Sequence, residues 1–130
     1  MASSMNDTEL NKIADAWIAG EEGENDSPAR EANWWAIERV MDWSIEGEDE
    51  LLWQFILIVY NRNISEKVAA LLAAGPLEDL LAYHGPKFID QVEELARKDD
   101  KFNWLLGGVW RNDMTDEVWQ RVQDIRKQIW

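Results

Sequence analysis

The segment Leu51 to Tyr60, LLWQFILIVY, is apolar except for Gln54, and no other stretch constrains the fold as strongly. Such a run has to be buried all round, either as a strand inside a sheet or as a central helix. Its Ile, Val, Phe and Tyr content leans toward strand. No second strand-like run exists to pair with it, however, and an isolated buried strand leaves its backbone polar groups without partners. The segment is therefore read as the central, most buried helix of an all-α protein. It is far too short to cross a bilayer, which takes about 20 apolar residues.

The flanking sequence carries helical periodicity. Leu10, Ile13, Ala14, Trp17 and Ile18 form the stripe of a first helix over Thr8 to Ala19, with Gly20 as a left-handed stop. Ser27-Pro28 reads as an N-cap followed by proline at the first helical position. The second helix runs to Trp43 with Ala32, Trp35, Ala36, Val40 and Trp43 inward, and Trp34, Ile37 and Met41 widening that face. Ser65 caps a fourth helix that Gly75-Pro76 ends. A fifth over Leu77 to His84 stops at Gly85, and Pro86 opens a sixth. Asp99 or Asp100 caps a seventh around Phe102 to Leu106. Thr115 caps the last, with Val118, Val122, Ile125 and Ile129 at helical spacing.

Short links between these segments favour antiparallel neighbours. The expected architecture is a single domain over 1–130: a compact stack of about eight short antiparallel helices, a HEAT-like miniature without a residue-level repeat. Residues 1–7 are expected to stand outside the ordered fold. The N-terminus has neither the basic nor the apolar region of a signal peptide. A cytoplasmic protein without a membrane segment is expected.

Of the 130 residues, 26 are acidic and 13 basic, giving a net charge of −13. Direct binding to a nucleic-acid backbone is not expected, because phosphate neutralisation needs a basic face. The imbalance is uneven: residues 1–63 hold 14 Asp/Glu against 4 Lys/Arg, and residues 64–130 hold 12 against 9. Two acidic turns stand out, one with Glu21, Glu22, Glu24 and Asp26, the other with Glu46, Glu48, Asp49 and Glu50. The second also places carboxylates where the next helix dipole favours them. An acidic half can steer a basic partner.

Nine tryptophans are the most unusual compositional feature. Trp17, Trp35, Trp43 and Trp53 fall in apolar stripes and are assigned to the core. Trp34, Trp110, Trp119 and Trp130 do not fit the stripes, and exposed tryptophan beside charge is a favoured interface anchor. Trp34 and Trp110 are the partner-binding candidates among them.

No sequence pattern for catalysis emerges. The chain has no cysteine, no phosphate-binding glycine loop, no nucleophile elbow and no EF-hand spacing. The one histidine, His84, precedes Gly85 and suits a helix C-terminus. Adjacent carboxylates such as Glu93-Glu94 point apart on a helix, which is wrong for shared-proton chemistry. No catalytic residue, metal site or cofactor is therefore assigned.

The segment Leu71-Leu72-Ala73-Ala74-Gly75-Pro76-Leu77-Glu78-Asp79-Leu80-Leu81-Ala82-Tyr83-His84-Gly85 resembles the signature of a bacterial all-helical family of unknown function. Phe102 and Leu105-Leu106-Gly107-Gly108-Val109-Trp110 are similar to its closing motif, and Ile13 to Ile18 to its opening. The resemblance implies a helical domain and no activity; Glu78 and His84 are the polar groups it singles out at the Gly-Pro corner.

Three functions are carried forward. The first is a small acidic protein that binds another protein with a basic surface, as an immunity-type or inhibitory partner. The second is a nucleic-acid mimic that occupies a DNA- or RNA-binding protein through rows of carboxylates. The third is an enzyme or small-ligand-binding domain using Glu78 and His84.

Overall fold

A computed structural model describes residues 5–130, and every regular element among them is helical. The helices are α1 (Asp7–Glu22), α2 (Pro28–Glu46), α3 (Asp49–Tyr60), α4 (Glu66–Leu72), α5 (Glu78–Lys98), α6 (Asp100–Leu106) and α7 (Asp116–Ile125). A π turn over Ala73–Leu77 precedes α5. The count among the described residues is thus slightly below the eight or so expected. Of residues 1–7, the first four lie outside the described residues. Asn6 and Asp7 belong to the fold: the Asn6 side chain accepts the Glu9 N–H at 2.8 Å and caps α1.

The chain divides into two compact units, one ending at Leu72 and one beginning at Ala73. In the first, α1 packs most extensively on α2, and also on α3 and α4. Helix α3 is the buried element that its sequence demands: Leu51, Leu52, Trp53, Phe55, Ile56, Val59 and Tyr60 are all buried. The fully buried Phe55 ring meets Trp17 edge-on at 5.3 Å and Trp43 at 5.9 Å, the arrangement aromatic quadrupoles prefer.

Two expectations for this unit need correction. Gly20 is no stop; α1 continues through it to Glu22, and Gly20 lies against α2. A Cβ there would stand 3.0 Å from both Asn33 Cβ and Ile37 Cδ1. That close approach fixes the rotation of α2, so Ala36, Ile37, Val40 and Trp43 face inward. Trp35 and Ala32, expected inside, are consequently exposed, as is Met41. Helix α2 also extends past Trp43 to Glu46, where Gly47 adopts a left-handed φ of 76°.

In the second unit, α5 packs on the π turn, α6 and α7. Pro76 does not end a helix as expected. Pro76 sits inside the wide π turn, a geometry that accommodates a residue without an N–H. The expected fifth and sixth helices are the two halves of α5, separated by a kink at His84, whose φ and ψ of −136° and 22° are non-helical. At the bend, the buried Gly85 abuts α7, and a Cβ would lie 2.9 Å from both Val118 methyls.

Helix α7 stops at Ile125, so Ile129 is solvent-exposed and does not continue the Val118–Val122 stripe. The segment 126–130 instead straps across α6. The buried Asn103 side chain donates to the carbonyls of Ala96 (3.2 Å) and Ile125 (2.9 Å) and accepts the Lys127 N–H (2.9 Å). Trp130 stacks on Trp104 with centroids 4.5 Å apart, and its Nε1–H donates to the Trp104 carbonyl at 2.7 Å. Arg126 donates to the Val109 carbonyl at 3.0 Å beneath the Trp119 ring, and burial pushes its guanidinium below its usual pKa.

Two predictions follow from the α5–α7 packing. Gly85→Ala overpacks the helix crossing and lowers unfolding stability by about 1–3 kcal/mol, whereas Gly75→Ala, with no neighbour near its Cβ position, does not. In a Val118→Ala background the Gly85→Ala penalty shrinks, which a double-mutant denaturation cycle measures. The second concerns Glu93, which accepts from Arg121 Nε at 3.0 Å and Nη2 at 2.6 Å. The Arg121 hydrogen bond holds this carboxyl below its ordinary value of 4.5, against burial. Its stabilisation is complete above the unfolded pKa and is lost as pH falls through the lower folded pKa. Acid denaturation of Arg121→Gln therefore lacks that component; an unchanged acid limb contradicts the assignment.

Candidate partner-binding surface

The first acidic turn is largely occupied by the fold itself. Glu21, a contact candidate, is only 7% exposed and pairs with Arg30 at 3.1 Å, so it is not available at the surface. Glu22 accepts from the Ser65 hydroxyl, and Lys67 donates to the Glu22 carbonyl at 3.1 Å and stands 3.9 Å from the Glu24 carboxylate. These contacts pin the 23–27 loop to α4. Asp26, with a left-handed φ of 63°, is exposed. It lines a shallow cavity of about 200 Å³ with Arg30, Glu31 and Trp34, so the structure brings two candidates, Asp26 and Trp34, together.

Arg30 connects both features. Its Nη1 bonds the buried Glu21, while its Cζ lies 5.6 Å from the Trp34 ring centroid. That places a held cation beside an exposed aromatic ring, a favourable cation–π arrangement.

The second acidic turn stands at the other end of α2. Glu46 and Glu50 are exposed and Glu48 and Asp49 half-buried, with Asp49 and Glu50 in the first turn of α3 as its dipole favours. The two turns are not one cluster: they are separated by the length of α2, about 28 Å at 1.5 Å per residue.

Between them lies the outer side of α2, including Trp35 and Met41, which were expected to face inward. Trp34, Trp35, Met41 and Ile45 are all exposed, Ile45 at 80%. Glu31, Glu38, Asp42 and Glu46 share that side of the helix and are exposed too. Carboxylates thus recur at 31, 38, 42 and 46 along the side that faces water.

The acid at the Gly-Pro corner makes contacts within its own unit. Glu78 accepts the Trp110 N–H at 2.9 Å and the Asn112 side-chain amide at 3.3 Å, joining the start of α5 to the loop after α6. The two motif segments thus meet through this carboxylate. Trp110 itself is 66% exposed. His84 lies six residues further along, at the bend of α5. Gly107 and Gly108 lie under the strap, where a Cβ would come within 2.6 Å of the Gln128 carbonyl and the Trp130 ring respectively. Gly85, Gly107, Gly108 and Glu78 of these motifs each have a packing or hydrogen-bonding task, while Gly75 has no neighbour near its Cβ position. Among the described residues no group of three His, Cys, Asp or Glu side chains is arranged to hold a metal.

The chain belongs to a family of unknown function (DUF6869), whose sequence model matches residues 23–129. The match takes in all of α2, the Gly-Pro corner and the Gly-Gly-Val-Trp segment. The 13–18 opening lies ahead of it. Neither a curated protein nor a solved structure matches the chain.

Glu78→Ala removes both acceptors for the 110–112 loop, so the Trp110 amide exchanges with solvent faster and stability falls by about 1 kcal/mol. Glu78→Gln keeps one acceptor oxygen and gives a smaller change. Hydrogen exchange resolved at Trp110 checks this; equal exchange in wild type and Glu78→Ala contradicts the role.

Proposed function

We propose that this protein acts by binding another protein through a basic surface on that partner. The observation that carries the reading is the outer side of α2, where four large apolar side chains stand among four carboxylates. Water-exposed tryptophan, methionine and isoleucine grouped on one helix mark an interaction surface. The charge supports the sign of the partner. The first unit carries 15 Asp/Glu against 5 Lys/Arg, the second 11 against 8, so the negative potential centres on the unit that holds α2.

An immunity-type or inhibitory role fits this chemistry. A partner whose working surface is basic is blocked when an acidic protein covers that surface, and electrostatic steering accelerates the encounter. The carboxylate row on α2 also suits mimicry of a nucleic acid. The adjacent apolar side chains favour a partner with apolar as well as basic groups, which a phosphate-reading surface does not supply.

Photocrosslinking in the host cell tests the reading. A photoreactive residue in place of Met41 gives a discrete adduct with a protein of basic isoelectric point, and one in place of the exposed Gln123 of α7 does not. Absence of an adduct at Met41, or adducts only with acidic proteins, contradicts it.

A further inference from the structure

The outer side of α2 is divided, and the division describes its partner. At about 3.6 residues per turn, Trp34, Met41 and Ile45 fall on one narrow edge, spaced i, i+7, i+11. Glu31, Glu38, Asp42 and Glu46 fall on the adjoining edge, with Trp35 among them. Together they occupy an arc of roughly 140°, opposite the buried Ala36, Ile37, Val40 and Trp43. Arg30 and Arg39 stand just beyond the two margins. An apolar strip lies beside an acidic strip over about 22 Å of helix.

We infer that α2 receives an amphipathic helix of the partner protein, one that presents a Lys/Arg strip beside an apolar strip. This rests on the proposed binding of a basic partner and adds the shape of what is bound. Two helices laid along one another match strip to strip: apolar side chains cover Trp34, Met41 and Ile45, and cations meet the four carboxylates. Helix-in-groove and helix-on-helix recognition use anchors at this spacing. A flat, uniformly basic surface would leave the apolar strip in water. A second copy of this chain laid antiparallel is disfavoured, because that isologous contact across α2 sets carboxylates beside carboxylates, and in a parallel pair the acidic strips fall on opposite sides and find no basic strip.

Two synthetic peptides of identical Leu and Lys composition test the inference. In one, leucines and lysines segregate into adjoining helical strips; in the other they are scrambled. Tryptophan fluorescence and calorimetry at two salt concentrations measure the affinities. The segregated peptide binds at least about tenfold tighter, and Met41→Asp/Ile45→Asp abolishes that advantage while the shared salt-dependent binding remains. Glu38→Lys/Asp42→Lys weakens both peptides. Equal affinities, with the charge variants still weakening both, overturn the helical occupant and leave the basic-partner reading standing. Affinities unaffected by the charge variants, or no binding by either peptide, overturn both. Dimerisation of the free chain that Met41→Asp abolishes overturns the helical occupant in favour of a second copy.

Discussion

The close approach of α1 and α2 at Gly20 decides what the first unit shows to solvent. A glycine on α1 lets Ile37 and Asn33 settle against the backbone, and the buried Glu21–Arg30 ion pair fastens the same crossing at its end. Once Ile37 is inside, helical geometry puts Ala36, Val40 and Trp43 inside with it and turns Trp34, Trp35, Met41 and Ile45 out. A small residue, rather than the bulkiest ones, sets the rotation. Removing either ion-pair partner would leave the other charge largely buried and unpaired, which is costly. Arg30 is thus both a fastening for the hairpin and the cation beside Trp34.

The second unit is built on a different principle, in which polar side chains close irregular segments. Asn103 joins the end of α5, the end of α7 and the strap with three hydrogen bonds. Glu78 holds the loop after α6. Gly107 and Gly108 provide the floor on which Trp130 lies. The glycine pair and Glu78, which stand out in the sequence of this unit, are explained by these contacts. The exposed apolar and acidic side chains of α2 have no comparable role in the fold, which directs the functional reading to them.

How far the sequence discloses this structure depends on the range of the interaction. Local chemistry is legible: Ser27, Ser65, Asp99 and Thr115 all cap the helices they were expected to cap, each accepting a backbone N–H two or three residues on. The all-helical class follows from the unpartnered apolar run at Leu51–Tyr60, and that run is the buried helix it had to be. Tertiary effects are less visible. Gly20 looks like a stop because its neighbours across the helix crossing, Asn33 and Ile37, are distant in sequence. Trp35 looks like core because hydrophobicity alone does not reveal which edge of an apolar helix meets its neighbour. The strap is hidden because Val118, Val122, Ile125 and Ile129 keep a helical rhythm beyond the point where Arg126 turns extended. For the candidate surface, Asp26 and Trp34 were legible, and the carboxylates of α2 were legible only once its buried side was known.

Hydroxyl-radical footprinting, read by mass spectrometry on the purified protein and on the same protein in its native extract, tests the central claim most directly. The account predicts rapid oxidation of Trp34, Trp35 and Met41 in the purified protein and protection of all three in the extract, with Tyr83 and Trp110 oxidised equally in both. Equal oxidation of α2 in the two samples, or protection centred on Trp110 instead, would contradict it.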